Sequence, residues 1–438
     1  MDERNAPGKE QEVPEEGQKE EYSFLQEVIK DETGSGKKFG KDILRMAGFG
    51  FVFGIVACIS FCAFRPWMEK KYESGPEQVT IPPDQENDEQ QNPSEQQEEP
   101  VQEEPVQAEK PVLDTESYRQ MLKALKEVAE ESGKSVVEIT GVTGEGDWAK
   151  DLSDSKYSVS GIILADNGQE LLILGKPCPV ENPVGIRVTF ADNTRHEAVV
   201  KAEDYNLGLT VYAVPRSEIE GETWTQISTA VLGNSNFVNM GDTVIVLGKP
   251  FGHASSFTYG IVATDKARKE MPDGQYEVIY TDIAGSSAGS GVLVNIQGEI
   301  IGLIDQSILE EDSRNLIAGY GISDIKNVIE LLLNGQRVPY TGLCGVDVTE
   351  EMETQGLPKG IYVKEIETDS PAMAAGIQAG DIITVADNTP VASVSGYHSV
   401  LMEKREGEEL HLKGCRHGAG GDYVDIDFSV VVGSKSGL

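Results

Sequence analysis

The pattern of apolar and polar positions changes character several times along the chain. Residues 46–64, MAGFGFVFGIVACISFCAF, are an uncharged apolar run long enough to predict a membrane-spanning helix. Residues 115–133 place Tyr118, Leu122, Leu125 and Val128 on one side at helical spacing, with Gly133 as a stop. The period then shortens. Residues 135–142, 158–166, 169–175, 185–192, 196–203 and 207–214 are β-branched runs separated by turns, and 242–248, 259–265, 276–282, 291–298 and 299–305 continue them. Many short strands at such spacing predict barrel or sandwich β structure. A helix over 323–335, capped by Ser323 and ended by Gly335, closes this unit. A second unit starts near Tyr340, with a helix near 396–405 and a last strand around 422–432.

Between these segments the chain is polar. Residues 65–112 are dominated by Glu, Gln and Pro, as in DQENDEQQNPSEQQEEPVQEEPVQ, and are expected to remain extended as a disordered stalk. The expected organisation is an acidic disordered tail (1–45), the transmembrane helix (46–64), the linker (65–112), a β domain (113–336) and a second domain (337–438). Lys37, Lys38, Lys41 and Arg45 precede the apolar run, which places the N-terminus in the cytoplasm and both domains outside it at the cell membrane. A cleaved signal peptide fits poorly, because the run begins deep in the chain and Arg65-Pro66-Trp67 follows it.

Charge narrows the partners. The chain carries 74 acidic against 37 basic residues, a net −37, which argues against nucleic acid. Five cysteines lie without a CxxC pair or a ligand spacing with histidine, so neither a disulfide framework nor a metal site is expected, and no cofactor is implied.

Several stretches in order resemble the HtrA-type (DegP-like) serine proteases: SGIILADNGQELLIL (160–174), LGNSNFVNMGDTVIVLGKPFG (232–252) with TYGIVA (258–263), TDIAGSSAGSGVLVNIQGEIIGL (281–303), and SPAMAAGIQAGDIITVADNTPV (370–391). The resemblance covers roughly 134–435. It implies a mainly β protein, a chymotrypsin-like double β-barrel followed by an α+β PDZ domain, and a possible homotrimer.

The resemblance puts Ser290 at the nucleophile position, with the backbone N–H groups of Ala288 and Ser290 as the oxyanion pocket. A serine needs a base, and the base needs an orienting carboxylate. The histidine position falls on Pro177 or Cys178, and the aspartate position on Gly208, four residues past Asp204. His196 and His253 are the domain's own histidines, and surface or packing roles suit both. Lys176 is the candidate for an unorthodox Ser-Lys dyad. In the PDZ-like unit, Leu343, Cys344, Gly345, Val346 and Val348 are the expected peptide-binding residues, with Leu343–Val346 holding a C-terminal carboxylate and the strand from Val346 to Val348 pairing with the peptide. These readings lead to a membrane-anchored, inactive HtrA-like protein that binds unfolded or C-terminal peptide segments in envelope protein recognition or scaffolding. The alternative is an active serine endopeptidase of envelope quality control that uses Ser290. A third reading is an adaptor acting through its cytoplasmic tail.

Overall fold

The computed structural model describes residues 76–84, 114–142, 158–180, 182–309, 315–418 and 421–435. The expected tail, transmembrane helix and most of the linker lie outside them. Among the described residues no helix is long and apolar enough to cross a membrane.

Helix α1 (Thr115–Gly133) coincides with the predicted span, and the Asp114 side chain caps it by accepting from Ser117 N–H at 2.9 Å. Strands β1 (Val136–Val142), β2 (Ser158–Asp166), β3 (Glu170–Gly175), β4 (Gly185–Thr189), β5 (Arg195–Asp204) and β6 (Leu209–Pro215) close into a barrel in the order β1-β2-β3-β6-β5-β4. Strands β7 (Thr243–Lys249), β8 (Ser256–Met271), β9 (Gly274–Ala284), β10 (Ser290–Val294), β11 (Ile300–Ile304) and β12 (Leu316–Gly321) close a second, in the order β10-β11-β12-β9-β8-β7. The double-barrel expectation therefore holds. Alternation along each strand fills the barrels: Ile139, Ile163, Ile173, Val188 and Tyr212 in the first, Val244, Val246, Leu293, Ile301 and Ile317 in the second. Residues pointing the other way, among them Leu174, Val211, Leu247 and Val292, join helix α2 (Ile322–Leu333) in a third apolar cluster. That is why β10 and β11 are buried at every position.

Three local expectations need correction. Ser323 does not cap α2. Gly321 takes that position, and Ser323 instead exchanges bonds with Ser235, its N–H donating to Ser235 Oγ at 3.0 Å while Ser235 N–H donates to Ser323 Oγ at 2.9 Å. Strand β8 runs on to Met271, because DKARKEM keeps pairing with β9 although its side chains are mostly polar. The linker is not uniformly free of structure. Residues 76–84 lie extended along the β domain: Val79 N–H donates to Asn334 Oδ1 at 2.9 Å, Asn334 Nδ2 donates to Val79 O at 2.7 Å, and Lys326 pairs with Asp84 at 2.5 Å. Val79 and Ile81 break the Glu/Gln pattern there and pack on the third cluster.

The second domain is a sheet in the order β13-β14-β15-β17-β18, formed by β13 (Leu343–Asp347), β14 (Ile361–Ile366), β15 (Ile382–Ala386), β17 (Glu409–His417) and β18 (Tyr423–Val431), with the short β16 (Thr389–Pro390) beside β15. Helices α3 (Glu350–Thr354), α4 (Pro371–Ala374) and α5 (Val394–Met402) accompany it. Leu343, Ile361, Val363, Ile383, Tyr397, Leu401, Leu410 and Val430 form its core. Strand β13 is an edge strand, and Asp347 Oδ1 accepts the Val394 N–H that opens α5, at 2.7 Å.

Candidate functional site

Ser290 is the first residue of β10 and pairs across the ladder with Lys249 of β7. It is 4% exposed. Its Oγ accepts the Ser160 N–H at 2.9 Å and reaches Ser160 Oγ at 3.5 Å; Ser160 Oγ also lies 3.3 Å from Ser290 O. The hydroxyl therefore faces strand β2 of the first barrel. The backbone packs tightly here. A Cβ on Gly291, which has φ +141°, would lie 2.0 Å from Leu247 O, and one on Gly248, at φ +119°, would meet Ser160 Oγ at 2.7 Å. Only glycine fits at either place.

The loop before Ser290 turns its donors inward. Ala288 N–H reaches Ser286 Oγ at 3.3 Å, and Gly289 N–H donates to Ser286 O at 2.8 Å. Gln306 Nε2 donates to the same Ser286 oxygen at 2.9 Å. An oxyanion pocket needs donors that converge on one empty point. Here the Ala288 N–H is turned to its own loop.

The groups that could serve as a base are engaged elsewhere. Cys178 is half-buried with its Sγ against Gly141 of β1, and burial pushes its thiol up. Lys176, just past β3, forms an ion pair with Asp305, just past β11, so the two barrels are bridged there. A Cβ on Gly208 would sit 3.9 Å from Lys176 Nζ, which places Gly208 beside this ion pair. Asp204 is buried and accepts the N–H groups of Asn206 and Leu207 at 3.2 and 2.8 Å, a turn-holding role. His196 stacks at a tilt on Phe190, centroids 5.2 Å apart, and His253 is exposed. Sequence reasoning missed Lys249. It is 2% exposed, its Nζ donates to Ser158 O and Oγ at 2.9 and 2.8 Å, and burial lowers its pKa. Its only sequence signal was a lysine directly after an apolar run, at the end of β7.

In the second domain three successive N–H groups converge, those of Thr341, Gly342 and Leu343. They lie upstream of the expected Leu343–Val346 loop and share Leu343 with it. Gly342 takes φ +82°, and a Cβ there would lie 2.4 Å from Ser370 Cβ. Such a backbone forms an anion-holding nest. Asp273, in the turn between β8 and β9, fills this nest with its side-chain carboxylate. Cys344, Gly345 and Val346 continue along β13, paired with β14, and the Cys344 thiol is pushed up to about 11 by burial and nearby carboxylates. Val348, just past β13, is buried with Ile382 and Cys415, in a cluster separate from the one that holds Leu343.

Comparison with known proteins agrees with this architecture. Residues 159–303 match the trypsin-like peptidase domain and residues 342–429 the PDZ domain. The chain is 26% identical over 323 residues to the serine protease Do-like HtrA of Bacillus subtilis, covering 67% of this chain and 70% of that protein. It is 28% identical over 272 residues to the periplasmic serine endoprotease DegP of Escherichia coli, 59% of this chain but 54% of DegP. Among solved structures, the HtrA-type protease AlgW with a tripeptide superposes with a TM-score of 0.51 at 18% identity, over 72% of this chain and 98% of that one, a likeness of fold. The chain thus joins a trypsin-like peptidase domain to a PDZ domain in the manner of the HtrA/DegP-like serine proteases.

Proposed function

We propose that this is a membrane-anchored HtrA-like protein whose PDZ domain binds peptides and whose peptidase domain does not cut them. The observation that carries the reading is the bond from Ser160 N–H to Ser290 Oγ at 2.9 Å. A hydroxyl that accepts a backbone N–H inside a β contact is held by the fold, which supports a structural role. Without an imidazole and an orienting carboxylate, acyl transfer is slower by several orders of magnitude. The Ala288 N–H, turned to Ser286, supports the same conclusion. The apolar run 46–64, flanked by cations, supports anchoring with both domains outside the cytoplasm. The nest beside the edge strand β13 supports capture of C-terminal or unfolded peptide segments, and the likeness to HtrA-type proteins supports a homotrimer.

A second reading, an active endopeptidase, draws on Lys249. A buried lysine of lowered pKa can act as a base, and Lys249 stands directly across the ladder from Ser290. The two readings separate in one experiment. The purified protein is treated with a fluorophosphonate probe and, in parallel, with unfolded casein. The binding reading expects no covalent label on Ser290 and no cleavage above that of Ser290→Ala. Labelling at Ser290 with casein turnover that Lys249→Met abolishes would replace it by the enzyme.

A further inference from the structure

The β8–β9 hairpin ends in a two-residue turn, Pro272–Asp273, between the paired Met271 and Gly274. Asp273 is 3% exposed and takes φ +62°, a conformation aspartate tolerates better than most residues. Its Oδ2 accepts Thr341 N–H at 2.6 Å and Gly342 N–H at 2.7 Å; its Oδ1 accepts Leu343 N–H at 3.2 Å and Tyr397 OH at 3.1 Å, and also the Thr341 hydroxyl. The main chain of the same residue is held as well. Asp273 N–H donates to Leu343 O at 2.7 Å, and His398 Nδ1 donates to Asp273 O at 2.8 Å. Asn206 Nδ2 fixes the preceding Pro272 O at 2.7 Å.

A peptide captured by strand addition makes two kinds of contact. Its terminal carboxylate enters a nest of N–H groups, and its backbone then pairs with an exposed sheet edge. Asp273 makes both. Its carboxylate fills the nest, and its N–H takes the Leu343 carbonyl, the first rung on the free side of β13. The opposite wall, Tyr397 and His398 of α5, closes on it. We propose that Asp273 is an internal ligand of the PDZ domain: it occupies the seat of a peptide's C-terminal carboxylate, and a peptide binds there only by displacing the hairpin tip. This rests on the peptide-binding reading above and adds its regulation. A second carboxylate cannot share the nest, because all three N–H groups are used and two buried like charges oppose each other. The internal occupant is tethered, so it competes at high effective concentration.

The test uses the full chain and fluorescein-labelled decapeptides ending in Val or Leu, each as the free acid and as the C-terminal amide, read by fluorescence anisotropy. Asp273→Gly removes the carboxylate and suits the positive φ. Asp273→Asn keeps the size and removes the charge. Because apparent affinity falls in proportion to the open fraction, the glycine variant is expected to bind the free acids at least about tenfold more tightly than the native protein, with no such gain for the amides. Equal binding of the free acids by native and both variant proteins overturns the internal ligand and leaves peptide binding standing. Absence of binding in all three overturns the peptide-binding reading, and this inference with it. Should both variants fail to fold, hydrogen exchange on the native protein decides. Saturating free-acid peptide is expected to expose the amides of Met271, Asp273 and Gly274, and unchanged protection there under saturation overturns the proposal.

Discussion

Ser290 and Ser160 meet across the two barrels at the place where catalysis would occur: the backbone N–H of Ser160 points into the Ser290 hydroxyl at 2.9 Å. On the proposed reading, the hydroxyl's measurable contribution is to stability. Ser290→Ala leaves a buried N–H without its acceptor, which costs about 1–3 kcal/mol. Urea unfolding should show a lower midpoint with an unchanged slope. Proteolysis of casein should be the same before and after the substitution.

Lys176 and Asp305 tie the first barrel to the second, but the two residues do not carry equal weight. Asp305 also accepts the Ser307 N–H at 2.9 Å and the Ser307 hydroxyl at 2.7 Å. Asp305→Ala therefore frees three donors, and Lys176→Met frees one acceptor position. The aspartate variant should be the less stable, by about 1–2 kcal/mol more than the lysine variant. A double-mutant cycle in urea should give a coupling between the two sites that is clearly different from zero.

His398 is expected to make the domain contact sensitive to acid. Burial lowers its pKa below the ordinary 6.5, against the pull of Asp273, Asp324 and Asp204, whose own carboxyls burial raises. The ring also meets Tyr276 edge-on, centroids 5.7 Å apart. A histidine whose folded pKa is depressed binds its proton more readily in the unfolded chain. Its contribution is fully present above about pH 6.5 and is lost as pH falls below that. The native protein should lose up to about 1.4 kcal/mol per pH unit relative to His398→Gln as pH falls below about 6.5. Paired urea titrations across that range would show parallel lines if the histidine does not titrate in this way.

Asn334 holds the segment 76–84 as a strand neighbour would, accepting from Val79 N–H and donating to Val79 O. Asn334→Ala removes both bonds but leaves α2 intact up to its last turn. Global stability should change by about 1 kcal/mol or less, since the segment is peripheral. Limited proteolysis should show faster cleavage near residues 76–84 and unchanged cleavage elsewhere.

Much of the fold was legible because the strands carry their own signal. Residues 158–166 are β-branched and apolar, and the strand coincides with that span. The tip of β8 was not legible, since KARKEM is held by backbone pairing that any sequence can make and carries no apolar stripe. The extended segment 76–84 was hidden for a related reason: its acidic surroundings outweigh two apolar residues, and what fixes it, Asn334, is distant in sequence. At the candidate site, the resemblance could put Ser290 at the nucleophile position but not say where its hydroxyl points. Which strand lies opposite depends on how two barrels pack. The nest was harder still. Asp273 and Thr341 are far apart in sequence, and a Pro-Asp-Gly turn reads as an ordinary hairpin end.

That hairpin end has a consequence for how this chain can vary. Surface turns ordinarily tolerate gained or lost residues, and the pairs below Asp273 pack on the cluster beside the barrels and not in either barrel's interior. Yet each strand residue advances the tip by about 3.3 Å, more than the length of any bond it makes with Thr341, Gly342 or Leu343. The hairpin is a ruler cut to the gap it spans, and trimming or extending it by a single cross-strand pair would leave its last carboxylate short of, or driven past, the three amides that receive it.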